Sequence, residues 1–294
     1  LTPLELALVL GSALLHAAWS AAIKGSGDPM VFNLLQKALP ILLFAAALPW
    51  VSLGEIPAPV WRILAATSVA HGLYFYWMTR AFQQGDLTLV YPIARSTPAI
   101  LPLVAVPALG EELTTAGVLG VGVVVAGIWL VHLDRNLPRG SFGGAAAGFA
   151  YLTLAATVAY SLLDKAAMAA LSGSAWTSPV PRPLFFCLLL YLGSAAVFAP
   201  LALRRVGVRA VAARLRGQLG PASLAAGVSL LGYGLILKAL ETAPVSYVVA
   251  ARQTSVIFAL VLGMAWLRES PGRSRVVGGL ATFVGVALIS LAGD

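Results

Sequence analysis

The chain has 294 residues, of which 60% are hydrophobic and 10% charged, and its net charge is +8. A water-soluble domain, with about a quarter of its residues charged, is excluded by that balance. The basic residues are scattered over helix ends and short loops with no stripe interleaved with aromatics, so they read as topology and attraction to anionic lipid, not as a nucleic-acid surface.

Ten apolar runs follow one another at residues 4–23, 31–51, 60–80, 87–109, 115–133, 144–163, 184–203, 222–240, 245–266 and 276–292. Each is close to the roughly 20 residues a helix needs to cross about 30 Å of hydrocarbon. The expectation is an all-α membrane protein with ten transmembrane helices in one membrane domain. Residues 1–134 and 144–294 form two five-helix repeats, joined by 135–143. No basic region precedes the first run, so it is not read as a cleavable signal peptide, and a chain opening on Leu1 is expected to start natively upstream. Cys187 is the single cysteine, which leaves no internal disulfide and no thiolate cluster for a metal.

The first run sets His16, Trp19 and Ser20 on one stripe. In the second, Asn33, Gln36, Lys37 and Pro40 share a face at steps of three and four, and in the third His71, Tyr74, Phe75 and Met78 do the same. Polar faces are expensive against lipid and so point inward. The fourth run carries Tyr91, Arg95 and four prolines, Pro92, Pro98, Pro102 and Pro107, each of which removes an amide donor. Pro98 and Pro102 are the expected hinge. Glu112 closes this run, where a carboxylate can cap the amides of the next helix. Gly117, Gly120, Gly122 and Gly127 allow the fifth run close packing, within the bundle or in a dimer. The sixth run holds Tyr160 and stops before Asp164 and Lys165; the eighth holds Tyr233. The ninth holds Tyr247 and Arg252 without those prolines, so the first half is expected to be the more kinked. Glu269 closes it, and Gly278, Gly279 and Gly285 mark the tenth.

The halves correspond. Arginine and glutamate stand seventeen positions apart in both, as Arg95 and Glu112 and as Arg252 and Glu269, and paired glycines stand seven apart, at 120 and 127 and at 278 and 285. Arg80-Ala-Phe82 matches Lys238-Ala-Leu240, and Trp19-Ser20 with Lys24 matches Tyr160-Ser161 with Lys165. Because five is odd, the second copy enters the bilayer from the opposite face, giving inverted repeats around a central cavity.

A charge in hydrocarbon costs at least about 2.5–3.5 kcal/mol on insertion scales. At their depth Arg95 and Arg252 read either as snorkelling, carbonyl-bonded residues or as guides for an anionic group on opposite sides of the midplane. The aromatic rings suit a small carboxylate or zwitterion with an apolar side chain, although each alone also reads as packing. All eleven acids, Asp164 among them, fall at expected helix ends or in loops, which disfavours a carboxylate-driven proton antiport. His16 and His71 are then the mid-helix groups open to a proton, or packing residues. Twelve of nineteen Lys and Arg follow odd-numbered runs, which places those loops in the cytoplasm. No phosphate loop, metal-ligand set or activated nucleophile is visible, so neither an enzyme nor a cofactor is expected.

The ten-helix inverted duplication, Glu112 and Glu269 closing runs four and nine, and the glycine-spaced runs five and ten resemble the EamA branch of the drug/metabolite transporter superfamily. The aromatic richness is most similar to the YddG-type amino-acid exporters. The resemblance implies a multi-pass protein of the bacterial inner membrane that exports amino acids or related metabolites by alternating access, uncoupled or proton-linked. Facilitated export is the simpler expectation. Its site is expected at His16, Trp19, Ser20, Asn33, Gln36, Lys37, His71, Tyr74, Phe75, Tyr91, Arg95, Tyr160, Tyr233, Tyr247 and Arg252. A sugar-phosphate or nucleotide-sugar exchanger, or a proton-coupled drug/metabolite exporter, is the alternative, and the oligomeric state is left open.

Overall fold

Thr2 and Glu5 open the first helix with reciprocal bonds: the Glu5 amide donates to Thr2 Oγ1 at 3.3 Å and the Thr2 amide to Glu5 Oε2 at 2.8 Å. From there the computed structural model describes residues 1–24, 26–84, 87–132, 141–258, 261 and 272–291, and among these there is helix and no strand. Arg268, Glu269, most of the 135–143 connection and the end of the ninth expected span lie outside the described residues.

The helices are α1 (Pro3–Lys24), α2 (Pro29–Leu35), α3 (Ala38–Ala47), α4 (Ala58–Gln84), α5 (Leu87–Arg95), α6 (Thr97–Leu109), α7 (Thr115–His132), α8 (Ala145–Ser172), α9 (Arg182–Val206), α10 (Val208–Leu240), α11 (Val245–Ala251) and α12 (Arg273–Leu291). Seven helical stretches are long and apolar enough to cross a membrane, among the described residues. α4 is not one of them, because its inward stripe of Thr67, Ser68, His71 and Thr79 is buried and polar. Leu103, Leu119, Leu224 and Phe283, by contrast, stand exposed on the outside, the arrangement a lipid solvent favours.

Three expectations are corrected, at the second span, at the ninth span and at Asp164. The second span is not one helix: Asp28 caps α2, Pro29 takes its first turn, and the helix breaks at Gln36 and Lys37 before α3. The fourth span, marked by its prolines, is interrupted at Ser96, whose amide turns to the Ile93 carbonyl while its hydroxyl donates to the Pro92 carbonyl and accepts from Trp129 Nε1. The ninth span breaks too, although it lacks prolines, so an interruption there does not require them. After α11 the chain tightens into a 3-10 turn at Arg252–Thr254, where Gln253 and Thr254 side chains bond the Val249 and Ala251 carbonyls. Finally, α8 does not stop before Asp164; it runs on to Ser172.

Packing follows small residues. α7 lies against α12 at a seam of four glycines, where a Cβ on Gly120 would stand 2.7 Å from the Gly285 carbonyl oxygen and one on Gly278 2.6 Å from that of Gly127. Here the glycines serve the bundle itself. α4 packs on α8 and α9, and α1 on α10.

Candidate functional site

α1, α4, α8, α9, α10 and the 3-10 turn surround a cavity of about 50 Å³ between them. His16 and Trp19 come from α1, His71, Tyr74 and Phe75 from α4, Tyr160 from α8, Tyr233 from α10, and Arg252 from the turn. A second cavity of about 40 Å³ is bounded by Arg95, Met78 and Gln253. His16, Tyr74, Tyr160 and Arg252 line both, and so form the wall between them.

Both arginines stand where a helix stops, Arg95 as the last residue of α5 and Arg252 as the first of the 3-10 turn. Helix interruption near an arginine brings its guanidinium beside open backbone and cavity rather than lipid. Arg95 Nη2 contacts His16 Nε2, which must accept and is therefore neutral with its proton on Nδ1. The Arg95 guanidinium also lies 5.0 Å from the centre of the Tyr91 ring, and that of Arg252 5.4 Å from the Tyr233 ring. The Nε of each is buried without a hydrogen-bond partner.

Lys37, like Arg95, is a buried cation, placed by the break between α2 and α3, while Arg252 is half-buried. Its Nζ donates to Ser194 Oγ at 3.3 Å and lies 3.7 Å from the Phe75 ring centre and 4.9 Å from that of Tyr191. Ring faces of this kind contribute about 0.5–2 kcal/mol each, less than a desolvated ammonium requires. Gln36 and Asn33 continue the polar face: Trp19 Nε1 donates to Gln36 Oε1 at 2.7 Å, Gln36 Nε2 to Asn33 Oδ1 at 3.2 Å, and Asn33 Nδ2 to Thr79 Oγ1 at 3.3 Å. These bonds fix the Trp19 ring at the cavity.

Asp164 is the residue the sequence reading missed. It lies inside α8, 0% exposed, and accepts from Thr67 Oγ1 at 2.7 Å, from His71 Nε2 at 3.0 Å and from the Tyr233 hydroxyl. His71 in turn stacks on Tyr160 with centroids 3.9 Å apart. A carboxylate next to Lys165 looked like a helix end; only the donors some 70 to 100 residues away make its burial tolerable.

Other expected site residues stand elsewhere. Ser20 is half-buried and lines neither cavity. Tyr247 is remote: its hydroxyl accepts from the Thr114 amide at 2.9 Å and fills the space over Gly117. Pro98 is buried and Pro102 half-buried in α6, beyond the break. The capping role given to Glu112 belongs to Glu111, which bonds the amides of Val245 and Ser246 and so caps α11 in the other half, while Glu112 is exposed. Lys165 does complement a helix C-terminus, its Nζ lying 2.9 Å from both the Leu240 and the Ala243 carbonyl oxygens.

Residues 3–133 and 157–291 each match the EamA-like transporter family. An uncharacterized transporter in the cobO 3' region of Sinorhizobium sp is 32% identical over 105 residues, covering 34% of this chain and 74% of its own length. A solved crystal structure superposes on 100% of this chain and 98% of its own at a TM-score of 0.69 and 16% identity, a likeness of fold alone.

Proposed function

This chain belongs to the EamA-like transporter family of multi-pass membrane proteins, and on that premise we propose that it exports small carboxylate-bearing metabolites across the bacterial inner membrane, amino acids with apolar or aromatic side chains foremost. One observation carries the choice of an anionic group. Arg95 and Arg252 line the cavities, Lys37 is buried behind Phe75, Tyr191 and Ser194 of the larger one, and none of the three has a carboxylate within ion-pair distance among the described residues. Three such cations await a negative group, and a guanidinium fork fits a carboxylate. Trp19, Tyr74, Phe75 and Tyr160 offer rings to an apolar side chain.

Alternating access through two inverted five-helix repeats is the proposed mechanism. Its support is the pairing of helices: exchanging the halves turns α4 against α8 into α10 against α1 and leaves α7 against α12 unchanged. At about 10–15 Å³ per water, cavities of about 50 and 40 Å³ admit a few waters each and no whole amino acid. The wall of His16, Tyr74, Tyr160 and Arg252 therefore parts when substrate enters. The break at Ser96, with Pro98 and Pro102 beyond it, is the proposed hinge in the first half, and the turn at Arg252 its equivalent in the second.

The same three cations suit a phosphate, which makes a sugar-phosphate exchanger the second reading. Proteoliposomes preloaded with L-phenylalanine, L-leucine or glucose 6-phosphate distinguish the two by labelled counterflow. The amino acids are expected to exchange several-fold faster. Faster sugar-phosphate exchange would hand the site to the second reading, and no counterflow of any of them would overturn both.

A further inference from the structure

We propose that His71, backed by Asp164, is a proton-binding site inside the membrane, and that a proton leaves with each anion the protein exports. The inference rests on the preceding reading for the anion and stands on its own geometry for the proton. Asp164 is 0% exposed and lines neither cavity. His71 stands between it and the larger cavity, with its ring on that cavity's wall and its Nε2 3.0 Å from Asp164 Oδ2. With Nε2–H donating to the carboxylate, Nδ1 is the atom left to take a proton. The balance is one proton taken from cavity water onto Nδ1, giving an imidazolium beside a carboxylate, and the same proton returned to water on the other side; no bond between heavy atoms changes.

Five titratable or charged groups act on His71. Asp164 and Tyr160 come from α8 and Tyr233 from α10; Lys37 comes from the α2–α3 break and Arg252 from the 3-10 turn. Asp164 attracts an imidazolium and Lys37 and Arg252 repel it. A substrate carboxylate held by Arg252 on the cavity wall offsets that cation's repulsion, so carboxylate and proton reinforce each other's binding, and linkage makes the effect reciprocal. The substrate's own outward gradient then drives the pair, and export slows as the outside becomes more acidic.

The chain has three histidines, so ¹⁵N-histidine NMR of the reconstituted protein resolves the site directly, with His71 identified by the signal lost in His71→Asn. The expected result without substrate is conversion of His71 to imidazolium on acidification, suppressed in Asp164→Asn. The fastest probe in the counterflow assay is then expected to tighten about fivefold or more between the neutral and protonated forms. A vesicle-entrapped pH dye should report one proton released per probe molecule exported by the wild-type protein, a reading that needs no variant. A His71 that stays neutral, or that titrates alike in Asp164→Asn, overturns the proton site. A titrating His71 with no proton released overturns the coupling. A failure of all counterflow sinks the preceding section while the NMR still decides the proton site.

Discussion

Arg252 lies at the meeting of the two cavities with a buried Nε and no acceptor for it, and a charge in that position is costly unless something occupies its fork. A charge-assisted hydrogen bond to a substrate carboxylate is worth about 1.5–3 kcal/mol, which corresponds to about 10–150-fold. Arg252→Ala should raise the half-saturating L-phenylalanine concentration in counterflow by that factor, with no loss of folded protein. Arg95→Ala should also impair transport while the protein stays monodisperse. Unchanged exchange in both would return the arginines to a packing role. A different carboxylate carries the surface. Glu55 lies in the connection after α3, where bonds from the Thr177 hydroxyl and amide lower its carboxyl below the ordinary value of 4.5. A depressed carboxyl stabilises the folded contact above the ordinary value and ceases to do so as pH falls through its own, lower one. Exchange of the Thr177 amide, corrected for its intrinsic pH dependence, should therefore accelerate below about pH 4.5 in the wild type and be fast at every pH in Glu55→Ala.

Among the elements, the α7–α12 seam is the one whose sequence signal and structure agree most closely. Paired glycines at a spacing of seven fall on one helix face, and the backbones meet there. A methyl on Gly120 would stand 2.7 Å from a carbonyl oxygen of the partner helix, whereas one on Gly122 meets nothing within 4 Å. Gly120→Ala should accordingly destabilise by about 1–3 kcal/mol, and Gly122→Ala should be neutral or slightly stabilising. Thermal unfolding in one detergent reads both, and equal melting temperatures would contradict the seam. Helix existence was legible in the same way, because a run of about 20 apolar residues has few alternatives. Helix interruption was only half legible. Prolines announced the break in the fourth span, but at Arg252 the chain breaks through side-chain bonds from Gln253 and Thr254, residues that ordinarily continue a helix. Asp164 was illegible for a related reason: hydropathy counts a charge as a boundary, and the Thr67, His71 and Tyr233 donors that cancel it come from α4 and α10. Tyr247 was misread in the opposite sense, as an aromatic at site spacing whose hydroxyl serves a helix cap.

At the scale of the whole molecule, three hydrogen-bonded ties gather around the connection from α10 to α11, and in the alternating-access reading they hold that end closed. Glu5 of α1 accepts from the Thr242 hydroxyl, Lys165 of α8 donates to the Leu240 and Ala243 carbonyls, and Glu111, after α6, caps α11. Two of these three ties join the first half to the second. They act where helix ends carry unsatisfied amides and carbonyls, so closing this end also satisfies backbone that would otherwise need water. Opening it must break them. A cap of this kind is worth about 0.5–2 kcal/mol, and its loss moves a two-state equilibrium by about 2–30-fold toward the open form. The single native cysteine, Cys187, is fully buried, so a thiol introduced by Ser12→Cys on the cavity wall can be followed against a silent background. Labelling of that thiol by a polar maleimide should speed up about 2–30-fold when Glu111→Gln is added, because the amide keeps the shape of the cap and loses its charge. The same labelling rate with and without Glu111→Gln would mean that this end does not open through the α10–α11 connection, and the alternating-access reading would then need its gate at the other end.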